Sequence, residues 1–79
     1  MTIQEFNQIS GIKLNNTVAF DKINQFYMES RSNKYDYVGN LMKVFNEWVT
    51  KNTDNLKNIS TEESFCYFVI HELDYYSNL

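Results

Sequence analysis

Cys66, His71, Asp74 and the neighbouring Glu62 and Glu63 are the residues of this 79-residue chain whose types and spacing invite a chemical reading. A cysteine nucleophile needs a base within hydrogen-bond reach, and His71 is the one histidine in the chain. Five residues apart on one helix, however, the two side chains diverge by about 140°. Cys66 also falls on an apolar stripe, where a thiol behaves as a small hydrophobe. His71 and Asp74 stand at i, i+3, a spacing that can seat a metal ion, but two ligands make a weak site, and a histidine near a helix C-terminus is accounted for by the dipole. Adjacent helical positions point about 100° apart, so Glu62 and Glu63 are first-turn residues matched to the helix dipole rather than an acid and base pair. The chain contains no glycine-rich phosphate loop, no HExxH and no GxSxG. These readings point away from an enzyme, and no cofactor or metal is expected.

The stronger signal is aromatic. Six Phe, six Tyr and one Trp stand in a chain with two glycines and no proline, more ring surface than so small a domain readily hides. Several rings sit beside carboxylates, as in Tyr35-Asp36-Tyr37 and Asp74-Tyr75-Tyr76. The formal charge is −3 and the pI near 4.9. That sign opposes broad phosphate binding, so nucleic acid is not the favoured partner. A single cysteine forbids an internal disulfide and, with a single histidine, an ordinary structural zinc site. A core of this size supplies about 3–5 kcal/mol, leaving helix packing or oligomerisation to do the rest. The N-terminus carries no basic and apolar leader pattern and no stretch nears about 18 apolar residues, which gives the expectation of a soluble, cytoplasmic protein in a bacterial host cell, with no membrane partner.

The elements that must position these residues are helices. The reading is an all-α fold: a compact bundle of about four short helices over residues 2–10, 17–30, 34–51 and 61–76, in one domain spanning 1–79. The cleanest pattern runs from Tyr35 to Val49, where Tyr37, Val38, Leu41, Val44, Phe45 and Trp48 share one side and Gly39 lies on the polar edge. Asn33 can cap this helix, with Asp36 favourable to its dipole. Ala19, Phe20, Ile23, Phe26 and Tyr27 mark the helix before it, capped by Asn16 or Thr17. Thr2-x-x-Glu5 opens the first helix as a capping box; Gly11 suits a left-handed stop, with Ile12 folding back in the Schellman manner. A second capping box, Ser60-x-x-Glu63, opens the last helix. There Phe65, Cys66, Val69, Ile70, Leu73 and Tyr76 form the core stripe, while Phe68, His71 and Tyr75 form a second stripe opposite, with Tyr67 at its edge. Four short helices leave too little protein to cover both, unless Phe68 and Tyr75 pack under the N-terminal segment.

Thr2-x-x-Glu5-Phe6 with Ser10-Gly11-Ile12, then Phe20-x-x-Ile23-x-x-x-Tyr27-Met28 and Asn33-Lys34, resembles a pattern in small uncharacterised helical proteins of low-GC bacteria and their phages. The resemblance covers the first half of the chain and rests on caps and core positions. It implies a mobile-element origin and carries over no functional residue. Joined to the surplus rings and carboxylates, it leads to the expectation of an acidic protein-binding module, a phage or mobile-element inhibitor of the anti-CRISPR or anti-restriction kind that occupies a basic surface of a host or defence enzyme. Phe68, His71 and Tyr75 are the expected anchors, with Tyr35, Asp36 and Asp74 at the rim, and the same face could serve a homodimer. On this expectation, replacing Phe68 and Tyr75 with alanine abolishes binding and spares the fold. Two other readings stand beside it. One is a DNA-binding regulator, since Ile9-Ser10-Gly11-Ile12 before Thr17-Val18-Ala19-Phe20 has some of the character of a helix-turn-helix. The other is an antitoxin or immunity protein.

Overall fold

Each helix begins where a side-chain oxygen can receive the first free backbone N–H groups. In the computed structural model, which describes residues 1–76, four α-helices follow that rule: α1 (Ile3–Ser10), α2 (Thr17–Ser30), α3 (Lys34–Lys51) and α4 (Thr61–His71), with a 3-10 turn over Leu73–Tyr76. Thr2, Asn16, Asn33 and Ser60 are the four caps. The box at α1 closes in both directions, Glu5 N–H to Thr2 Oγ1 at 3.1 Å and Thr2 N–H to Glu5 Oε1 at 2.9 Å. At α4 only half of the expected box forms, with Glu63 N–H donating to Ser60 Oγ at 3.2 Å, and Glu63 is among the residues that line a cleft.

Gly11 stops α1 in the left-handed region, with φ at 78°. Its N–H donates to the Asn7 carbonyl at 3.0 Å. The Ile12 N–H goes to Ser10 Oγ at 3.1 Å, so the stop is the single-bond left-handed type rather than the Schellman motif. Arg31 ends α2 in the same region, with φ at 61° and no glycine to relieve it.

The core is one body of rings and branched side chains drawn from every helix. α1 packs chiefly on α3, and α2 on α4. The radius of gyration, 11.8 Å, matches the roughly 12 Å that a compact domain of this length should have. Ile12 and Leu14, in the connection between α1 and α2, also enter this core. Asn7 makes that possible: its side chain donates to the Leu14 carbonyl and accepts from the Leu14 N–H, both at 3.0 Å. A loop that must enter the core needs its backbone polar groups satisfied, and one amide side chain does it here.

Two corrections concern the last helix. It ends at His71 rather than continuing to Tyr76, because the chain tightens into i→i+3 bonding, with Tyr75 N–H donating to Glu72 O at 3.0 Å. Ile70, expected on the core stripe, is exposed, whereas Phe68, expected on the outer stripe, is 0% exposed.

Candidate functional site

Phe68 sits among Phe45, Trp48, Phe65 and Tyr76, with ring centroids 5.4–6.5 Å away. It cannot be a contact anchor, because a partner would have to open the core to reach it. Tyr75 stands out from the surface at 83% exposure and His71 is also exposed. Asp74 is exposed but engaged, accepting from Lys22 Nζ at 3.3 Å. Tyr35 and Asp36 are exposed at the other end of α3. Thirteen residues separate Tyr35 from Trp48, about 20 Å along the helix axis. The six expected site residues therefore do not converge: one is core, two belong to the start of α3, and three lie along and beyond the end of α4.

A different group does converge. Tyr67, half exposed at 51%, contacts two rings: Trp48 at 6.0 Å, stacked with 22° between planes, and His71 at 4.5 Å, tilted by 37°. Tyr67 and Trp48 form part of a cleft of about 460 Å³ between the end of α3, the following turn and α4. Leu56 and Ile59 extend its apolar wall. Asn52, Asn55 and Ser64 are its uncharged polar members, and Glu63 and Glu72 carry its charge. The two ion pairs among the described residues, Lys22–Asp74 and Lys34–Glu5, involve neither of these glutamates.

Local sequence explains the arrangement. Glu63, Tyr67 and His71 follow one another at i, i+4 on α4, so their side chains stack along one edge. Trp48 comes from the last turns of α3 and covers Phe68 from outside. Asn52 Nδ2 donates to the Trp48 carbonyl at 2.8 Å, tying off the end of α3 beside the cleft. The sequence carries a signal for Tyr67, which stands at the edge of the outer stripe and one residue from Phe68. The angular step from Tyr67 to Phe68 is about 100°, enough to turn an outward ring into a core ring.

Other candidates resolve differently. The Cys66 thiol is half-buried, and burial first, then the Glu62 and Glu63 carboxylates, push it up from its ordinary pKa. A thiol held protonated in this way is a poor nucleophile. Among the described residues no group of three or more His, Cys, Asp or Glu side chains is placed to hold a metal ion. On α2, Lys22 donates to the Ile70 carbonyl at 3.0 Å and to Asp74, leaving Asp21 and Glu29 as the exposed charged side chains within the helix. That surface opposes a phosphate backbone. No helix among the described residues is long and apolar enough to cross a membrane.

No protein-family model matches this chain, and no curated protein or solved structure matches it significantly.

Proposed function

We propose that this chain is a small acidic protein-binding module that acts by occupying a basic surface of another protein, as a phage or mobile-element inhibitor does when it blocks a host or defence enzyme. One observation carries the reading: a half-exposed tyrosine stacked on Trp48 and in contact with His71, beside a cleft whose charged members are two glutamates with no ion-pair partner among the described residues. Rings supply rigid contact area at little entropic cost, and carboxylates around them steer association toward positive surfaces. The chain as a whole is net negative, at −3 with these two glutamates included, so the local and long-range fields favour the same kind of partner.

The anchors in this reading are Tyr67 and His71, with Tyr75 beyond them and Glu63 and Glu72 at the rim. They replace the face built on Phe68. The test is affinity capture with the tagged protein, run beside a light-scattering mass of the protein alone. Wild type is expected to capture a discrete basic protein that the Tyr67→Ala, His71→Ala double variant does not. A monomer that captures nothing, or a double variant that captures equally well, would contradict the reading.

A further inference from the structure

We infer that the cleft between α3 and α4 is a seat for an arginine side chain presented by an extended segment of the protein partner. This rests on the protein-binding reading and adds the chemistry of what enters.

Three independent features point to that occupant. The first is shape: Tyr67, half exposed and backed by Trp48 with 22° between the ring planes, offers an exposed ring on the cleft wall, and such a ring favours a planar, delocalised cation that can stack on it. The second is charge. Glu63 and Glu72 line the cleft, no lysine or arginine does, and neither glutamate has an ion-pair partner among the described residues. Lys51 and Lys57, the nearest cations along the chain, lie outside the lining. Carboxylates and guanidinium match in a bidentate geometry that an ammonium cannot reproduce.

The third feature is a pair of polar atoms at the cleft without a protein partner among the described residues. Trp48 and Ser64 are 8% and 5% exposed, and both line the cleft. Neither the indole N–H nor the Ser64 hydroxyl has a side-chain hydrogen bond among the described residues, yet neither atom is sealed away; the one fully enclosed, unpartnered side-chain polar atom there is Tyr37 Oη. Polar atoms of nearly buried residues are ordinarily paired. An indole N–H only donates, so an occupant that displaces water from it must bring an acceptor, which guanidinium lacks and a peptide carbonyl supplies. The combination therefore describes an arginine together with the backbone that carries it. Nucleic-acid bases would also stack on these rings, but their phosphates would meet the two carboxylates.

Trp48 is the sole tryptophan, so its emission reports the cleft directly. The probe is a capped glycine-rich peptide with one central arginine, titrated beside the same peptide carrying citrulline, which keeps the shape and loses the charge, or lysine. The arginine peptide is expected to shift Trp48 emission saturably at millimolar concentration. Binding should weaken at least ten-fold with citrulline and several-fold with lysine. The Glu63→Gln, Glu72→Gln double variant, checked by circular dichroism to be folded, should lose about ten-fold, in line with one or two charged hydrogen bonds. No saturable change with the arginine peptide, or equal binding of citrulline, overturns the assignment. If the intact protein still captures its partner through Tyr67 while the arginine peptide leaves Trp48 unmoved, the arginine seat fails and the protein-binding reading stands. A preference for single-stranded DNA over the arginine peptide likewise overturns it.

Discussion

Replacing Phe68 by alanine removes the ring on which Phe45, Trp48, Phe65 and Tyr76 close. A buried phenylalanine lost to a cavity costs about 3–5 kcal/mol, comparable to the whole stability of so small a domain. Thermal melts by circular dichroism should therefore show Phe68→Ala largely unfolded, while Tyr75→Ala, at an 83% exposed position, stays within about 0.5 kcal/mol of wild type. Equal, small losses in both would return Phe68 to the surface. Tyr37 offers a second test at this scale. Its hydroxyl is enclosed without a partner among the described residues, and burial pushes its pKa up from 10.0 to about 12. The folded state then keeps a proton that the unfolded chain releases, so stability falls as pH rises from 10 towards 12. Tyr37→Phe is expected to flatten that alkaline limb in denaturant titrations and to hold or raise stability at neutral pH. A loss of more than about 1 kcal/mol there would mean that the hydroxyl is paired. Burial at single positions was partly legible in the sequence: Tyr37, Val38, Leu41, Phe45 and Trp48 are buried as the period of α3 requires. Phe68 was not, because α4 carries rings nearly all round and periodicity alone cannot choose its inner side.

Helix boundaries follow their caps, and the two glycines separate what a cap needs from what it does not. Gly39 lies inside α3 with open space where a Cβ would stand. Gly39→Ala should raise stability by about 0.5–1 kcal/mol. Gly11 also has open space, but its φ of 78° is left-handed, so Gly11→Ala should lower stability by about 1–2 kcal/mol. Urea titrations that moved both variants the same way would contradict this account. Glu5 joins two elements. It closes the box at the start of α1 and pairs with Lys34 on α3. The Lys34 hydrogen bond, then the Thr2 backbone, lower its pKa from 4.5 to about 2. Its contribution is therefore present above pH 4.5 and is lost as pH falls towards 2. Glu5→Gln should show a shallower loss of stability across that window, and an acid limb identical to wild type would contradict the pairing. Thr2, Asn33 and Ser60 were readable as caps, and the cap of α2 to within one residue, Asn16 or Thr17, because each is a local contact over three residues. The early end of α4 was not. Lys22, on α2, takes the Ile70 carbonyl across 48 residues, a tertiary partner that no local pattern announces. The entry of Ile12 and Leu14 into the core through the Asn7 clamp escaped for the same reason.

At the scale of the whole molecule, the all-α bundle of four short helices was legible, and the surface proposed for contact only in kind. Composition indicated rings beside carboxylates, and the surface does carry them, but at Tyr67, His71, Glu63 and Glu72 rather than around Phe68. The difference is one residue of helical phase on α4, together with the approach of Trp48 from α3. On the proposed function, this surface, and not the start of α3, holds the partner. The most direct measurement is the dissociation constant of the captured partner for Tyr67→Ala and for Tyr35→Ala, each confirmed as folded by circular dichroism. Tyr35 is the matched control, since it is similarly exposed at 64% and lies on the same protein away from the cleft. Loss of a contact anchor at the centre of an interface costs about 2 kcal/mol or more, roughly thirty-fold in affinity. A loss of that size is expected for Tyr67→Ala and less than about three-fold for Tyr35→Ala. A thirty-fold loss at Tyr35 with Tyr67 tolerated would contradict that proposal.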